Sequence, residues 1–204
     1  VKGAKQMAKV TTGTGDSGFT GLLGEQRVPK YDPRPDTFGT VDEATSALGV
    51  ARAATRDARV AEIILHVQRD LYVLMAELAT PQENLEAIGM RMTGDQVVWL
   101  EHTQEALKSE VAIPTLFVIP GDSADGAALD LARTIIRRAE RMTVRLFHDH
   151  VIANADALRY LNRLSDLIFI LARYTEAKQR GSTHIKRGAL AGTEPAGTEP
   201  AGTE

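Results

Sequence analysis

No cysteine occurs among the 204 residues, which excludes disulfides, thiolate metal ligands and thiol catalysis and fits a reducing compartment. No apolar run approaches the roughly 20 residues of a membrane-spanning helix, so no membrane partner is expected. A basic excess is missing too: 24 Lys and Arg stand against 27 Asp and Glu, a formal net charge of -3. A dedicated nucleic-acid binder leans on a positive surface to displace counterions, so nucleic acid is not an expected ligand. The opening VKGAKQMAK is basic with no apolar segment, unlike a secretory signal. The expected location is the cytoplasm, or the mitochondrial matrix for a eukaryotic chain. Strand-like alternation is absent, as are Ser-His-Asp and paired-carboxylate patterns. His148 and His150 resemble a metal pair, yet i and i+2 on a helix face nearly opposite ways. No protein metal site is expected, and His66, His102 and His184 stand alone.

What is present is enough for one core: 43% hydrophobic and 25% charged residues describe an ordinary globular chain. Residues 1–10 read as a flexible N-terminus, 11–180 as one domain and 181–204 as a flexible tail. The tail carries AGTEP repeats from Ala191, too small and polar to bury a core of their own.

Five helical stretches divide the domain. The first, from about Asp36 to Ala54, turns Phe38, Val41, Thr45, Leu48 and Ala51 inward, and Pro29, Pro33 and Pro35 are expected to hold the backbone before it extended. The second, over 58–79, has the clearest bundle spacing, with Val60, Ile63, Ile64, Val67, Leu71, Leu74 and Leu78 on one stripe. Thr93 with Gln96 three residues on is a capping signal for the third, which carries Val97, Leu100 and Leu107. TLFVIPGDSADG, flanked by Pro and Gly, is a crossing segment. The fourth spans Leu129 to Leu146. The fifth, 154–177, buries Leu158, Leu161, Ser165, Ile168 and Leu171 or Ala172. The economical fold is all-α, an up-and-down helical bundle.

Two stretches carry chemistry. Residues 11–24, TTGTGDSGFTGLLG, hold five glycines, four threonines and a serine. Glycines allow close backbone approach and hydroxyls donate, a composition suited to wrapping phosphates; it does not match a Walker A motif, and a flexible linker has the same composition. In the fourth helix, Leu129, Ala132, Ile135, Ile136, Ala139, Met142 and Leu146 share one side. Arg133, Arg137, Arg141 and Arg145 form an i, i+4 row on the other, flanked by Arg138 and Glu140. Like charges at that spacing repel by a few tenths of a kcal/mol per pair, so the row needs carboxylates or an anionic ligand. A salt-bridge face and a polyphosphate clamp both answer to it, the planar guanidinium fork being well matched to phosphate.

Three blocks in this order resemble the PduO-type ATP:cob(I)alamin adenosyltransferases of the cobalamin adenosyltransferase family. They are TGTGDSGFTGLLGEQRVPKYDPR with FGTVDEATSALG, FVIPGDS with LARTIIRRAER, and ALRYLNRLSDLIFILAR. The resemblance implies a ferritin-like five-helix bundle, homotrimeric, binding ATP with Mg²⁺ and reduced cobalamin at subunit interfaces. It implies transfer of the 5′-deoxyadenosyl group to cobalt, with a cobalamin reductase upstream and an adenosylcobalamin-dependent mutase downstream.

The implied roles carry over by position. Thr12, Gly13, Thr14, Gly15, Asp16, Thr20, Gly21 and Lys30 would cradle the triphosphate. Arg137, Arg138, Glu140, Arg141 and Asn162 would hold the nucleotide. Asp42 would pair across the subunit boundary with Arg133, and Phe117 would sit beside the corrin and help displace its lower ligand. On residues alone, Asp42 is equally a solvated helix-start carboxylate, Phe117 plain core and Asn162 a partner for a backbone group. Two departures stand out: Gly13 replaces a usual basic residue, and Asp122 interrupts a usual Gly-Gly-Ser. They raise a second expectation, a catalytically weak cobalamin- and ATP-binding chaperone or regulator of the same fold.

Overall fold

The computed structural model of the chain describes residues 11, 13–115, 117–179 and 184–185. Thr12, the N-terminal segment 1–10 and the AGTEP tail lie outside the described residues. The described chain is mostly helical: α1 (Pro33–Ala54), α2 (Ala58–Leu78), α3 (Leu85–Ile88), α4 (Gly94–Lys108), α5 (Ala124–His148) and α6 (Ala155–Gln179). Two short antiparallel pairs join them. β1 (Phe19–Gly21) pairs with β2 (Arg27–Pro29), and β3 (Phe117–Val118) pairs with β4 (His184–Ile185). No helix among the described residues is long and apolar enough to cross a membrane.

The prolines before α1 do not delay it. Asp32 caps the helix by accepting from the Arg34 N–H at 2.9 Å, and Pro33 occupies the first helical position, where a missing N–H costs nothing and the fixed φ is already helical. Asp57 caps α2 through the Arg59 and Val60 N–H groups. At α4, Gln96 Oε1 accepts from the Thr93 N–H at 2.9 Å and from its hydroxyl at 2.6 Å, and Thr93 with Gln96 forms the capping box. Ser123 starts α5 by accepting from the Gly126 N–H at 3.0 Å.

The stripes meet as their spacing requires. α5 packs on α1 and α6, α1 on α2, and α4 on α6. Leu48, Ile64, Leu71, Leu74, Leu100, Leu129, Ile136 and Leu161 are all fully buried, each such side chain stabilising the fold by roughly 2 kcal/mol. Met142 and Leu158 are only half-buried. Arg34 ties one end of the structure together, donating through Nη1 to the Leu78 and Thr80 carbonyls and through Nη2 to the Val151 carbonyl. Burial lowers its pKa against the pull of Asp32 and Glu83. The β1–β2 hairpin hangs at this same end, anchored by the Leu23 N–H on the Ala79 carbonyl at 2.8 Å.

Candidate functional site

The five arginines of α5 are not equivalent. Arg133 pairs with Asp130 at 3.1 Å, Arg138 with Glu43 of α1, and Arg145 with Asp149 at 3.6 Å. Arg141 donates only to the Arg137 carbonyl, at 2.9 Å. Among the described residues, Arg137 and Arg141 therefore have no carboxylate partner. Two uncompensated guanidiniums one helical turn apart repel each other unless an anion lies between or beside them.

Two cavities open against this face and share Arg137. One, of about 340 Å³, is lined by Arg137, Glu140, Arg141, Val144 and Asn162. Asn162 Nδ2 donates to Glu140 Oε1 at 2.9 Å and Asn162 Oδ1 accepts from Arg163 at 3.0 Å, so its amide orientation is fixed from both sides. The other, of about 320 Å³, combines Arg133, Arg137, Lys108 and Asp166 with Phe169 and Ile113. Both lie in the size range of small-molecule sites, and the second has their usual mixture of an apolar wall and a few polar groups. Arg138, locked on Glu43, lines neither cavity.

The glycine and threonine loop is a compact turn. Gly13 has φ +71° and Gly18 φ +81°, left-handed values that favour glycine, so a basic side chain at position 13 would be strained in this conformation. The Asp16 N–H donates to the Gly13 carbonyl at 3.3 Å and the Gly18 N–H to the Gly15 carbonyl at 3.1 Å. Arg27 closes the loop from outside by donating to the Thr14 carbonyl at 2.6 Å and the Phe19 carbonyl at 3.2 Å. Lys30 lies across Gly15: a Cβ added there would stand 3.0 Å from Lys30 Nζ. Thr20 and Gly21 sit in β1. Among the described residues, none of 13–30 lines either of these two cavities.

Asp42 is exposed on α1. Phe117 is 83% exposed and belongs to no core, which removes the plain-packing reading of that aromatic. Asp122 is half-buried just before the α5 cap. Sequence reasoning missed Asp130, Lys108, Asp166 and Phe169. Asp130 had a signal in its i, i+3 spacing to Arg133, and Asp166 in its i+4 spacing from Asn162; Lys108 and Phe169 had none.

The helical scaffold thus sets Arg137 and Arg141 at one cavity and Arg137 again at a second with an apolar wall. The chain belongs to the cobalamin adenosyltransferase family, whose model matches residues 10–175. It is 38% identical over 170 residues to a corrinoid adenosyltransferase of Citrobacter freundii, covering 83% of this chain and 96% of that protein. To a corrinoid adenosyltransferase of Mycobacterium leprae (strain TN) it is 37% identical over 177 residues, covering 83% and 92%. In structure it is similar to a variant PduO-type ATP:corrinoid adenosyltransferase from Lactobacillus reuteri complexed with cobalamin and ATP. That likeness has a TM-score of 0.81 at 32% identity and covers 88% of this chain and all of the other.

Proposed function

We propose that this protein is an ATP:cob(I)alamin adenosyltransferase, converting ATP and cob(I)alamin to adenosylcobalamin and inorganic triphosphate. Family membership supports the reaction, and one observation supports its location: among the described residues Arg137 and Arg141 have no carboxylate partner, and they stand at a cavity that also holds Glu140 and Asn162. Cobalt forms its bond to C5′ as the C5′–O bond of ATP breaks, and the electron pair leaves with triphosphate. The leaving group gathers negative charge in the transition state. Arg137, Arg141 and Lys30, with the cradle of Thr12, Gly13, Thr14, Gly15, Asp16, Thr20 and Gly21, are the groups that stabilise it. No general base is required, so catalysis is orientation and electrostatics.

Mg²⁺ would enter with ATP and neutralise phosphate charge, an ion that prefers phosphate oxygens and water to protein side chains. Among the described residues no group of three or more carboxylate or imidazole side chains could cage a metal ion. Phe117 is read as the apolar wedge beside the corrin that keeps water and the lower ligand from cobalt, since cob(I)alamin is most nucleophilic when four-coordinate. Its exposure suits contact with a bound molecule.

The five long helices are read as a ferritin-like up-and-down bundle within a domain of residues 11–180, and the working unit as a homotrimer. The loop lies in neither arginine cavity of its own chain, so a neighbouring protomer would bring loop and arginines together, with Asp42 facing Arg133 of the next chain. Phe19 and Tyr31, 44% and 87% exposed, give the hairpin an apolar surface for that neighbour. A reductase supplying cob(I)alamin and a mutase accepting the product are the expected partners. The second reading, a binding protein of weak turnover, is favoured by Gly13 and Asp122. Mixing the protein with ATP, Mg²⁺ and chemically reduced cobalamin under anaerobic conditions separates the two. The visible spectrum of a cobalt–carbon bond at many turnovers supports the enzyme, and binding without it supports the carrier.

A further inference from the structure

Arg133 is already held when it reaches the cavity. Its Nε donates to Asp130 Oδ1 at 3.1 Å, and the other Asp130 oxygen accepts from Arg173 Nη2 at 2.6 Å. Arg173 in turn grips Glu176 through Nε at 2.7 Å and Nη2 at 2.8 Å. Asp130, Arg173 and Glu176 are 2%, 2% and 0% exposed. Charges so deep persist only when paired and hydrogen-bonded. Arg173 lies between two buried carboxylates, Glu176 and Asp130, and Asp130 in turn takes Arg133 at the rim as its second cation. Phe169 lies between the two guanidiniums, 5.9 Å from that of Arg133 and 5.1 Å from that of Arg173, and lines the same cavity as Arg133.

This arrangement restricts Arg133 in a particular way. Of the five N–H donors of a guanidinium, Asp130 takes the one on Nε. Among the described residues the two Nη groups make no hydrogen bond, so the pair suited to a bidentate acceptor stays available. Close packing holds the far end of the chain of charges: a Cβ added at Gly126 on α5 would meet Glu176 Oε1 at 3.0 Å. We propose that Asp130 is the positioning residue that sets Arg133 for adenosyl transfer, with the buried Arg173–Glu176 pair fixing Asp130. The inference rests on the reading of Arg133 as part of the catalytic machinery.

The test is a double-mutant cycle on steady-state adenosylation, with thermal melting of each variant. Asp130→Asn lowers kcat about tenfold, the scale of a small misplacement of a reacting group, and leaves the KM for ATP within about twofold, as expected for a contact that matters only in the transition state. On an Arg133→Ala background the same change costs no further activity. Equal losses in both backgrounds, or an unchanged kcat, overturn the inference. Wild-type kcat in Arg133→Ala alone instead removes the reading of Arg133 on which it stands. Asp130→Glu carries the test if the Asn variant does not fold, because Arg173 keeps a carboxylate partner while the carboxylate shifts by a methylene. It too should lose kcat and not KM, and undiminished turnover contradicts the proposal.

Discussion

Asn162 on α6 donates to Glu140 on α5 at 2.9 Å, joining the two helices that wall the arginine cavity. The bond is to a charged acceptor and lies at an exposed rim, so it orders the site more than it stabilises the fold. Asn162→Ala should raise the KM for ATP about fivefold, the equivalent of about 1 kcal/mol, with the melting temperature within about 2 °C of wild type. A large loss of melting temperature with unchanged KM would make Asn162 a structural residue.

Gly15 and Lys30 form a second pair. A methyl at Gly15 meets the end of the lysine side chain, which can swing aside at little cost. Gly15→Ala should therefore leave stability unchanged but displace the ammonium, raising the KM for ATP about 10- to 100-fold, as Lys30→Ala does, since a charged hydrogen bond contributes about 1.5–3 kcal/mol. Full affinity in both variants would remove Lys30 from the phosphate cradle.

The helices and their inward stripes were legible because long amphipathic periods dominate local preference. All seven positions marked on α2 are buried. The start of α1 was not, because proline reads as a breaker until the capping role of Asp32 is known. The four-residue α3 and the two strand pairs are too short to show any period. The arginine row was visible, but not which arginines are compensated: Glu43 lies far away in sequence from Arg138, and only tertiary packing brings them together. The buried charges Asp130, Arg173 and Glu176 looked like ordinary surface residues at helical spacing.

Glu77 illustrates that kind of hidden constraint. Buried at 4% exposure, it accepts from the Met92 N–H at 2.7 Å and from Asn154 Nδ2 at 2.8 Å, joining α2 to the connections before α4 and α6. Glu77→Ala strips the Met92 N–H of its acceptor and leaves Asn154 Nδ2 with the Met92 carbonyl alone, and should destabilise the protein by about 2–4 kcal/mol, measured by urea unfolding. A loss below about 0.5 kcal/mol would contradict the role.

Asp70 adds a pH dependence. Burial raises its pKa, opposed by the Tyr160 hydroxyl at 3.1 Å and by His66. The folded state then keeps the proton to higher pH than the unfolded chain does, so this contribution to stability is present at low pH and lost as pH rises through the raised value. The melting temperature of Asp70→Asn, which keeps an acceptor for Tyr160, should exceed wild type at neutral pH and show a flatter decline above the usual carboxylate range. An identical profile in the two proteins would refute it.

Arg137 and Arg141, without a carboxylate partner among the described residues, are proposed to stabilise departing triphosphate. The most direct measurement is single-turnover adenosylation of cob(I)alamin by Arg137→Ala beside calorimetric binding of ATP. The predicted result is a rate at least about 100-fold lower with ATP affinity weakened less than about tenfold, the mark of an interaction made mainly in the transition state. A rate within a few-fold of wild type would contradict the account.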